Sequence, residues 1–398
     1  MRPTLRWLIM ATKIEIGPSA PALPTAAEEA VAAASLFRLL SKYGYLGALP
    51  FVLSKIVRIL VIGDSLAAGR GSGFGAVQMG GARAMSWSTL LKNALIGMGF
   101  PASAESWGEA RNTGGTIAEY DPRMSLGGWT VGTGAGPGGY LLQASAAGAA
   151  LAFVPSTAID TIEFYHVTNS SGGGGSYAVD DGAATAFSAA GSAALTKRVA
   201  NVALGLHTAK MNWVSGTIQA APMVAYNSAV KQFVLMNMGI RGSTTADWID
   251  ASFPWRPFNA IPAYAPDICL ISLGINDMRA AGPLLPLATT EANLQAIITK
   301  ATSGGGKVIL VIPPPPAVAD EGSYTYAQLV ALYLALGSAN GCPVVRTDLI
   351  FGSHDRATLD GFTNPADGLH YNGGAYALMA GLIASTVRDV AKTYFAAA

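Results

Sequence analysis

The sequence has little charge, little cysteine and little histidine. Asp, Glu, Lys and Arg make up 12% of its 398 residues and leave a net charge of +1, whereas typical domains are about one quarter charged. Nucleic acids and anionic lipids are bound mainly through clustered positive charge, so this composition argues against both partners. The two cysteines, Cys269 and Cys342, are too few for a disulfide framework and too widely spaced for a zinc site, which predicts buried free thiols.

The sequence also lacks a long apolar run. The segment Leu8–Ala11 is too short for a secretory signal, and the run Tyr45–Leu53 contains Pro50 and is shorter than a membrane span. We therefore expect no membrane span and find no secretory signal. The four histidines are dispersed, and the glycine-rich stretch 69–75 lacks the phosphate-loop and dinucleotide patterns. We expect no metal and no cofactor.

Residues 56–66 form the most informative stretch of the chain. This apolar, β-branched run ends abruptly in Gly63-Asp64-Ser65-Leu66, which predicts a buried strand that delivers a serine to its carboxyl end. Open α/β sheets place their chemistry at that edge. Ser65 is therefore a candidate nucleophile that requires a base, an orienting acid and oxyanion donors from elsewhere.

The pattern along the chain changes twice and predicts four parts. A proline-containing arm and an Ala- and Leu-rich helix at about 25–43 come first. Short alternating segments, including 159–167, 196–204 and 207–214, are separated by glycine-rich turns and predict an inserted antiparallel sandwich. The predicted parts are 1–50 (arm and helix), 51–106 (first α/β part), 107–230 (β-sandwich, jelly-roll-like) and 231–398 (second α/β part).

The two α/β parts alternate strands with helices, which predicts a parallel sheet covered on both faces. After the first strand, the predicted strands are 232–238, 267–273, 307–312 and 342–347, and the predicted helices are 87–98, 288–302, 323–339 and 374–395. Several of these strands lead into polar or glycine-containing loops, with Gly242, Gly274-Ile-Asn276-Asp277 and, before the last helix, Asp367-Gly-Leu-His370. These loops are expected to meet at one sheet edge.

Four blocks in this order make the chain resemble the SGNH, or GDSL, hydrolases. They are Gly-Asp-Ser-Leu at 63–66, the glycine block ending at Gly242, Gly-x-Asn-Asp at 274–277 and Asp-x-x-His at 367–370. The resemblance implies a flavodoxin-like three-layer α/β/α fold and the hydrolysis of esters or thioesters.

The resemblance and the chemistry assign a role to each residue. Ser65 would attack the acyl carbonyl, His370 would take and return the proton, and Asp367 would orient His370. The backbone N–H groups of Ser65 and Gly242 and the side-chain amide of Asn276 would hold the oxyanion. Two residues are expected to support this site: Asp277, tying down the loop of Asn276, and Asp64, which is equally suited to forming the turn.

Alternatives remain for several of these positions. Gly239 could replace Gly242 as the oxyanion glycine. His166 and His207 fall in predicted sandwich strands, where packed structural histidines are expected, and His354 is expected in a surface loop. Five aromatic residues of the insertion could stack on sugar rings, although their strand spacing favours core positions: Trp129, Tyr140, Tyr165, Tyr177 and Trp213.

The inserted sandwich resembles insertions found in carbohydrate O-acetylesterases of this family. The first hypothesis is therefore a serine esterase that removes acyl groups, above all acetyl groups, from a carbohydrate or a small ester. The second is a lipase or thioesterase with the same catalytic residues. The third is a phage tail or surface protein that oligomerises or assembles into a virion through its N-terminal region. The compartment stays open, with action outside the cell expected.

Overall fold

The computed structural model describes residues 51–73, 79–108, 117–365 and 369–397. The predicted N-terminal arm and helix, and Asp367, lie outside the described residues.

The described residues contain strands both in the α/β parts and in the insertion. In chain order they are β1 (Val57–Gly63), β2 (Ala102–Ser103), β3 (Glu105–Ser106), β4 (Met124–Ser125), β5 (Thr130–Gly136), β6 (Gly139–Ala144), β7 (Ala150–Phe153), β8 (Ile159–Thr168), β9 (Gly174–Val179), β10 (Thr185–Ser188), β11 (Ala194–Gly205), β12 (Ala209–Ser215), β13 (Ile218–Tyr226), β14 (Phe233–Asn237), β15 (Ile268–Ser272), β16 (Lys307–Val311) and β17 (Val344–Val345).

The α-helices range from one turn to 23 residues. They are α1 (Ser65–Ala68), α2 (Ala82–Met85), α3 (Trp87–Gly97), α4 (Ile117–Tyr120), α5 (Thr245–Ile249), α6 (Pro257–Ala260), α7 (Ile275–Met278), α8 (Leu287–Thr302), α9 (Tyr326–Asn340), α10 (Asp348–Phe351), α11 (His354–Leu359) and α12 (Gly373–Phe395).

One sheet is parallel and has the order β17-β16-β15-β1-β14-β2. Without the short edge strand β2, its order is flavodoxin-like, 2-1-3-4-5. β15 is buried at every residue, as expected for a strand covered on both faces. The predicted α/β fold is confirmed. The strand β2 was not predicted, because two residues carry no periodic pattern.

The region between β2 and β14 forms two antiparallel sheets that pack around a separate apolar core. Their orders are β10-β9-β12-β7-β4 and β11-β8-β13-β6-β5, and β3 pairs with β13. The predicted sandwich-like insertion is therefore confirmed. His166 is buried against the Phe187 ring, with centroids 4.3 Å apart. His207 was wrongly placed in a strand and lies in the turn between β11 and β12, where its Nδ1 is 2.7 Å from the Asp180 carboxylate.

The sandwich packs directly against the parallel sheet. Arg58 of β1 donates two hydrogen bonds to Glu163 of β8, at 3.1 and 2.7 Å. The Tyr165 ring stacks on Tyr264 with centroids 4.3 Å apart. Side chains of the sandwich also contribute to the main apolar core, so this core is continuous between the two parts.

The structure also shows the surroundings of the two cysteines and the character of the helices. Cys269 is buried in β15 as predicted, whereas Cys342 was wrongly expected to be buried and is half-buried before β17; both are free thiols. None of the helices within the described ranges combines the length and apolar character that a membrane crossing needs.

Candidate active site

The sheet delivers Ser65 at the end of β1. Gly63 lies so close to α1 that an added Cβ would come within 2.5 Å of the Ala67 Cβ. The absence of a side chain at Gly63 therefore allows the sharp turn. Asp64 caps the helix through its Oδ1, which accepts the Leu66 N–H at 2.9 Å. Ser65 is the first residue of α1 and is 7% exposed. Its hydroxyl therefore lies at the carboxyl edge of the parallel sheet.

His370 lies beside Ser65, with 2.9 Å between its Nε2 and the Ser65 Oγ. This distance suits proton transfer between a nucleophile and its base. The His370 backbone carbonyl accepts the Asn364 N–H at 2.7 Å. The Asn364 side-chain amide also donates to the Gly71 carbonyl, which ties the loop of His370 to the segment after α1.

Asn276 and Asp277 belong to α7, which follows β15. The Asn276 Nδ2 donates to the Ser243 carbonyl at 2.9 Å. The Asp277 carboxylate accepts the Thr245 N–H at 3.0 Å and the Thr290 hydroxyl at 3.2 Å. Asp277 thus joins α7 to the starts of α5 and α8. Burial raises the pKa of Asp277 above its ordinary value.

The two candidate oxyanion glycines have different surroundings. Gly239 packs against α1 so closely that a Cβ would come within 2.5 Å of the Ala68 nitrogen. Its own N–H donates to the Asn237 Oδ1 at 2.9 Å, which occupies that donor. Gly242 is exposed, has a φ of +71° and directly precedes Ser243, the partner of Asn276. These contacts favour Gly242.

Asp64 is almost fully buried, at 1% exposure. Burial raises its pKa to about 7, and the nearby negative charge of Asp277 acts in the same direction. The hydrogen bond from the Leu66 N–H acts the other way. Burial beside Ser65 therefore favours the protonated form of the Asp64 carboxyl group.

A small cavity of about 10 Å³ brings several predicted residues together. It is lined by Asp64, Ser65, Leu66, Ile275, Asn276, Pro314, Pro316, Leu369 and His370. Gly242 and Asp277 are outside this lining. A cleft of about 590 Å³ lies at the amino ends of β16 and β17, the opposite edge of the sheet, and Ser65 and His370 take no part in it.

The prolines of the cavity were not anticipated, although the run Pro313–Pro316 directly follows a predicted strand. His354 was wrongly expected at the surface: it is buried at the start of α11, near the ring of Tyr371. The described residues contain no group of three or more His, Cys, Asp and Glu side chains that could hold a metal ion.

A family model matches part of the chain, and a solved structure matches most of it. Residues 208–378, which include Asn276 and His370 but not Ser65, match the model of the GDSL-like Lipase/Acylhydrolase family. A solved structure described as a peptidoglycan O-acetylesterase in action is 16% identical and has a TM-score of 0.62, covering 90% of this chain and 97% of the other.

Two other solved structures match smaller parts of the chain. The lipase/acylhydrolase from Enterococcus faecalis is 25% identical, covering 40% of this chain and 77% of its own, with a TM-score of 0.34. A family two carbohydrate esterase from Cellvibrio japonicus is 12% identical, covering 68% and 96%, with a TM-score of 0.29. No curated protein matches the chain.

Proposed function

We propose that the chain is a serine esterase that removes O-acetyl groups from a carbohydrate polymer, because residues 208–378 match the GDSL-like Lipase/Acylhydrolase family model. The observation that carries this proposal is the 2.9 Å contact between the Ser65 hydroxyl and His370 at the carboxyl edge of the sheet. The family gives the reaction class, and the contact supplies a nucleophile with its base.

In the proposed first step, the Ser65 Oγ attacks the ester carbonyl while His370 Nε2 accepts the hydroxyl proton. As the bond between the acyl carbon and the sugar oxygen breaks, His370 gives this proton to the departing oxygen, which leaves an acyl-enzyme and a free sugar hydroxyl. A water molecule, deprotonated by His370, then attacks the acyl carbon, and His370 returns the proton to the Ser65 Oγ as acetate leaves. Asp367, assigned from the Asp-x-x-His block, would hold the histidine tautomer during both steps.

The negative charge on the tetrahedral intermediate requires donors that are in place beforehand. We assign this role to the backbone N–H groups of Ser65 and Gly242 and to the Asn276 amide. The Asn276 Nδ2 has two hydrogens, and the Ser243 carbonyl takes one of them, so the second is left for the oxyanion. One such donor is worth roughly 10²–10³ in turnover.

The carbohydrate substrate is proposed from the similarity to the peptidoglycan O-acetylesterase structure, a match that covers 97% of that chain. The sandwich aromatics do not add to it: Trp129 and Tyr165 are buried, while Tyr140, Tyr177 and Trp213 pack against the sandwich core. The predicted core position is confirmed for Trp129 and Tyr165, whereas Tyr140, Tyr177 and Trp213 are only partly buried.

The test uses the full chain and its Ser65→Ala variant. We expect the wild type to hydrolyse 4-nitrophenyl acetate and to release acetate from O-acetylated peptidoglycan. The variant should lose a factor of roughly a thousand or more in kcat, because the nucleophile is absent. Ser103→Ala is the matched control, since the Ser103 hydroxyl is buried on β2 without a hydrogen-bond partner. Wild-type turnover in Ser65→Ala would contradict the mechanism, and release from small esters alone would contradict the glycan substrate.

A further inference from the structure

The four consecutive prolines after β16 form a rigid wall of the cavity, which we call the proline wall (Pro313–Pro316). Each of them is buried. Proline has no N–H and a fixed φ, so this segment cannot continue the sheet and has little freedom to move. β16 accordingly ends at Val311.

Hydroxyl groups hold the proline wall from behind. The Tyr326 hydroxyl donates to the Pro313 carbonyl and the Tyr371 hydroxyl to the Pro315 carbonyl, both at 2.8 Å. Tyr371 directly follows His370 and is buried. The residue that binds the Pro315 carbonyl is therefore the chain neighbour of the histidine. The alternate residues, Pro314 and Pro316, line the cavity beside Ser65.

The size of the cavity limits what fits between this wall and the serine. About 10 Å³ is room for one group the size of a water molecule or a methyl. Pro314 and Pro316, with Leu66, Ile275 and Leu369, give this space an apolar side on which a methyl can pack, opposite the polar groups of the site. An acyl chain that extends further toward this side meets buried proline rings, which close-packed interiors hold in place.

We infer that Pro314 and Pro316 determine the acyl specificity of the site by restricting it to acetyl esters. This inference rests on the proposed esterase function and adds to it the residues that exclude longer acyl chains. It also separates the chain from lipases and long-chain thioesterases, whose substrates need an acyl channel beside the nucleophile.

The experiment measures kcat/KM for 4-nitrophenyl acetate, butyrate and hexanoate. In the wild type, we expect a fall of roughly tenfold or more from acetate to butyrate, since single methylenes are discriminated by about 10–200-fold in such pockets. Pro314→Ala and Pro316→Ala should each raise the butyrate-to-acetate ratio by roughly tenfold. Pro315→Ala is the matched control, because it makes the same change in the same segment outside the cavity lining and keeps the carbonyl that binds Tyr371.

Each outcome decides the inference. Equal wild-type rates on acetate and butyrate would overturn it while leaving the esterase proposal intact, whereas an inactive wild type would overturn the esterase proposal first. An unchanged ratio in folded Pro314→Ala and Pro316→Ala, or an equal rise in Pro315→Ala, would also overturn it. If neither cavity variant folds, as judged by circular dichroism, the wild-type acyl profile decides alone.

Discussion

Asp64 directly precedes Ser65 and has almost no contact with solvent. Its pKa of about 7 in the folded chain exceeds the ordinary value for an unfolded aspartate, about 3.9. The folded state therefore keeps a proton that the unfolded state releases between about pH 4 and 7. Stability from this group is full below that window and is lost as the pH rises through it.

Asp64→Asn keeps an oxygen to cap Leu66 and removes the charge. We expect the melting temperature of the variant to rise relative to the wild type as the pH increases from about 4 to 7, and to stay at a constant offset above that window. Thermal unfolding at a series of pH values measures this difference. Glu291→Gln makes the same chemical change at an exposed position of α8 and should show no such trend. A pH-independent offset for Asp64→Asn would count against the raised pKa.

Individual site residues differed in how far the sequence could locate them. Ser65 and Asn276 could be placed because each follows a buried strand, and the carboxyl ends of parallel strands meet. The burial of His354 could not be foreseen, because it arises from contact with Tyr371, a neighbour that only the folded loop provides. The size of the cavity depends in the same way on tertiary contacts of the proline wall.

The loop after α1 shows how one element positions another. Gly71 has a φ of +94°, and a Cβ there would come within 2.6 Å of the His370 Cβ and 2.5 Å of the Tyr371 carbonyl. The sequence showed only a glycine-rich stretch at 69–75. In the structure, Gly71 of this stretch lies directly against His370 and Tyr371.

Gly71→Ala should displace His370 from Ser65. We expect kcat for 4-nitrophenyl acetate to fall by roughly 10²-fold, because a shift of about 1 Å at a catalytic group has that effect. The matched control is Gly148→Ala, where φ is also positive, +81°, but no atom lies within 4 Å of the added Cβ. It should lose some stability from backbone strain and keep its activity. Equal activity losses in both variants would argue against a specific clash with the His370 loop.

The sandwich contributes side chains to the main apolar core, and its Glu163 forms a buried ion pair with Arg58 of the α/β part. Glu163 is 3% exposed, and its partner Arg58 has a side chain that is 12% exposed. Burial acts to raise the pKa of Glu163, but Arg58 and the Tyr165 hydroxyl together hold it below its ordinary value. The alternating pattern of 159–167 predicted the strand β8. The contact of Glu163 with Arg58 could not be predicted in this way, because the two residues are 105 positions apart in the sequence.

This arrangement predicts that the whole described chain unfolds as one unit. Glu163→Gln leaves the Arg58 charge buried without its counter-charge, which typically costs about 3–5 kcal/mol. We expect a single calorimetric transition in the wild type and a single transition at lower temperature in the variant, because the continuous core couples both parts. The wild type should also lose stability as the pH falls through the depressed pKa of Glu163, and the variant should lose less.

The control for this prediction is Asp181→Asn, which breaks an ion pair between Lys210 and a fully exposed carboxylate. Exposed pairs contribute little, so its melting temperature should stay close to that of the wild type. Two separate transitions, with only one of them shifted by Glu163→Gln, would mean that the sandwich unfolds independently. The ion pair would then stabilise the contact between the two parts without coupling their unfolding. In that case, the α/β part of Glu163→Gln would keep the melting temperature that it has in the wild type.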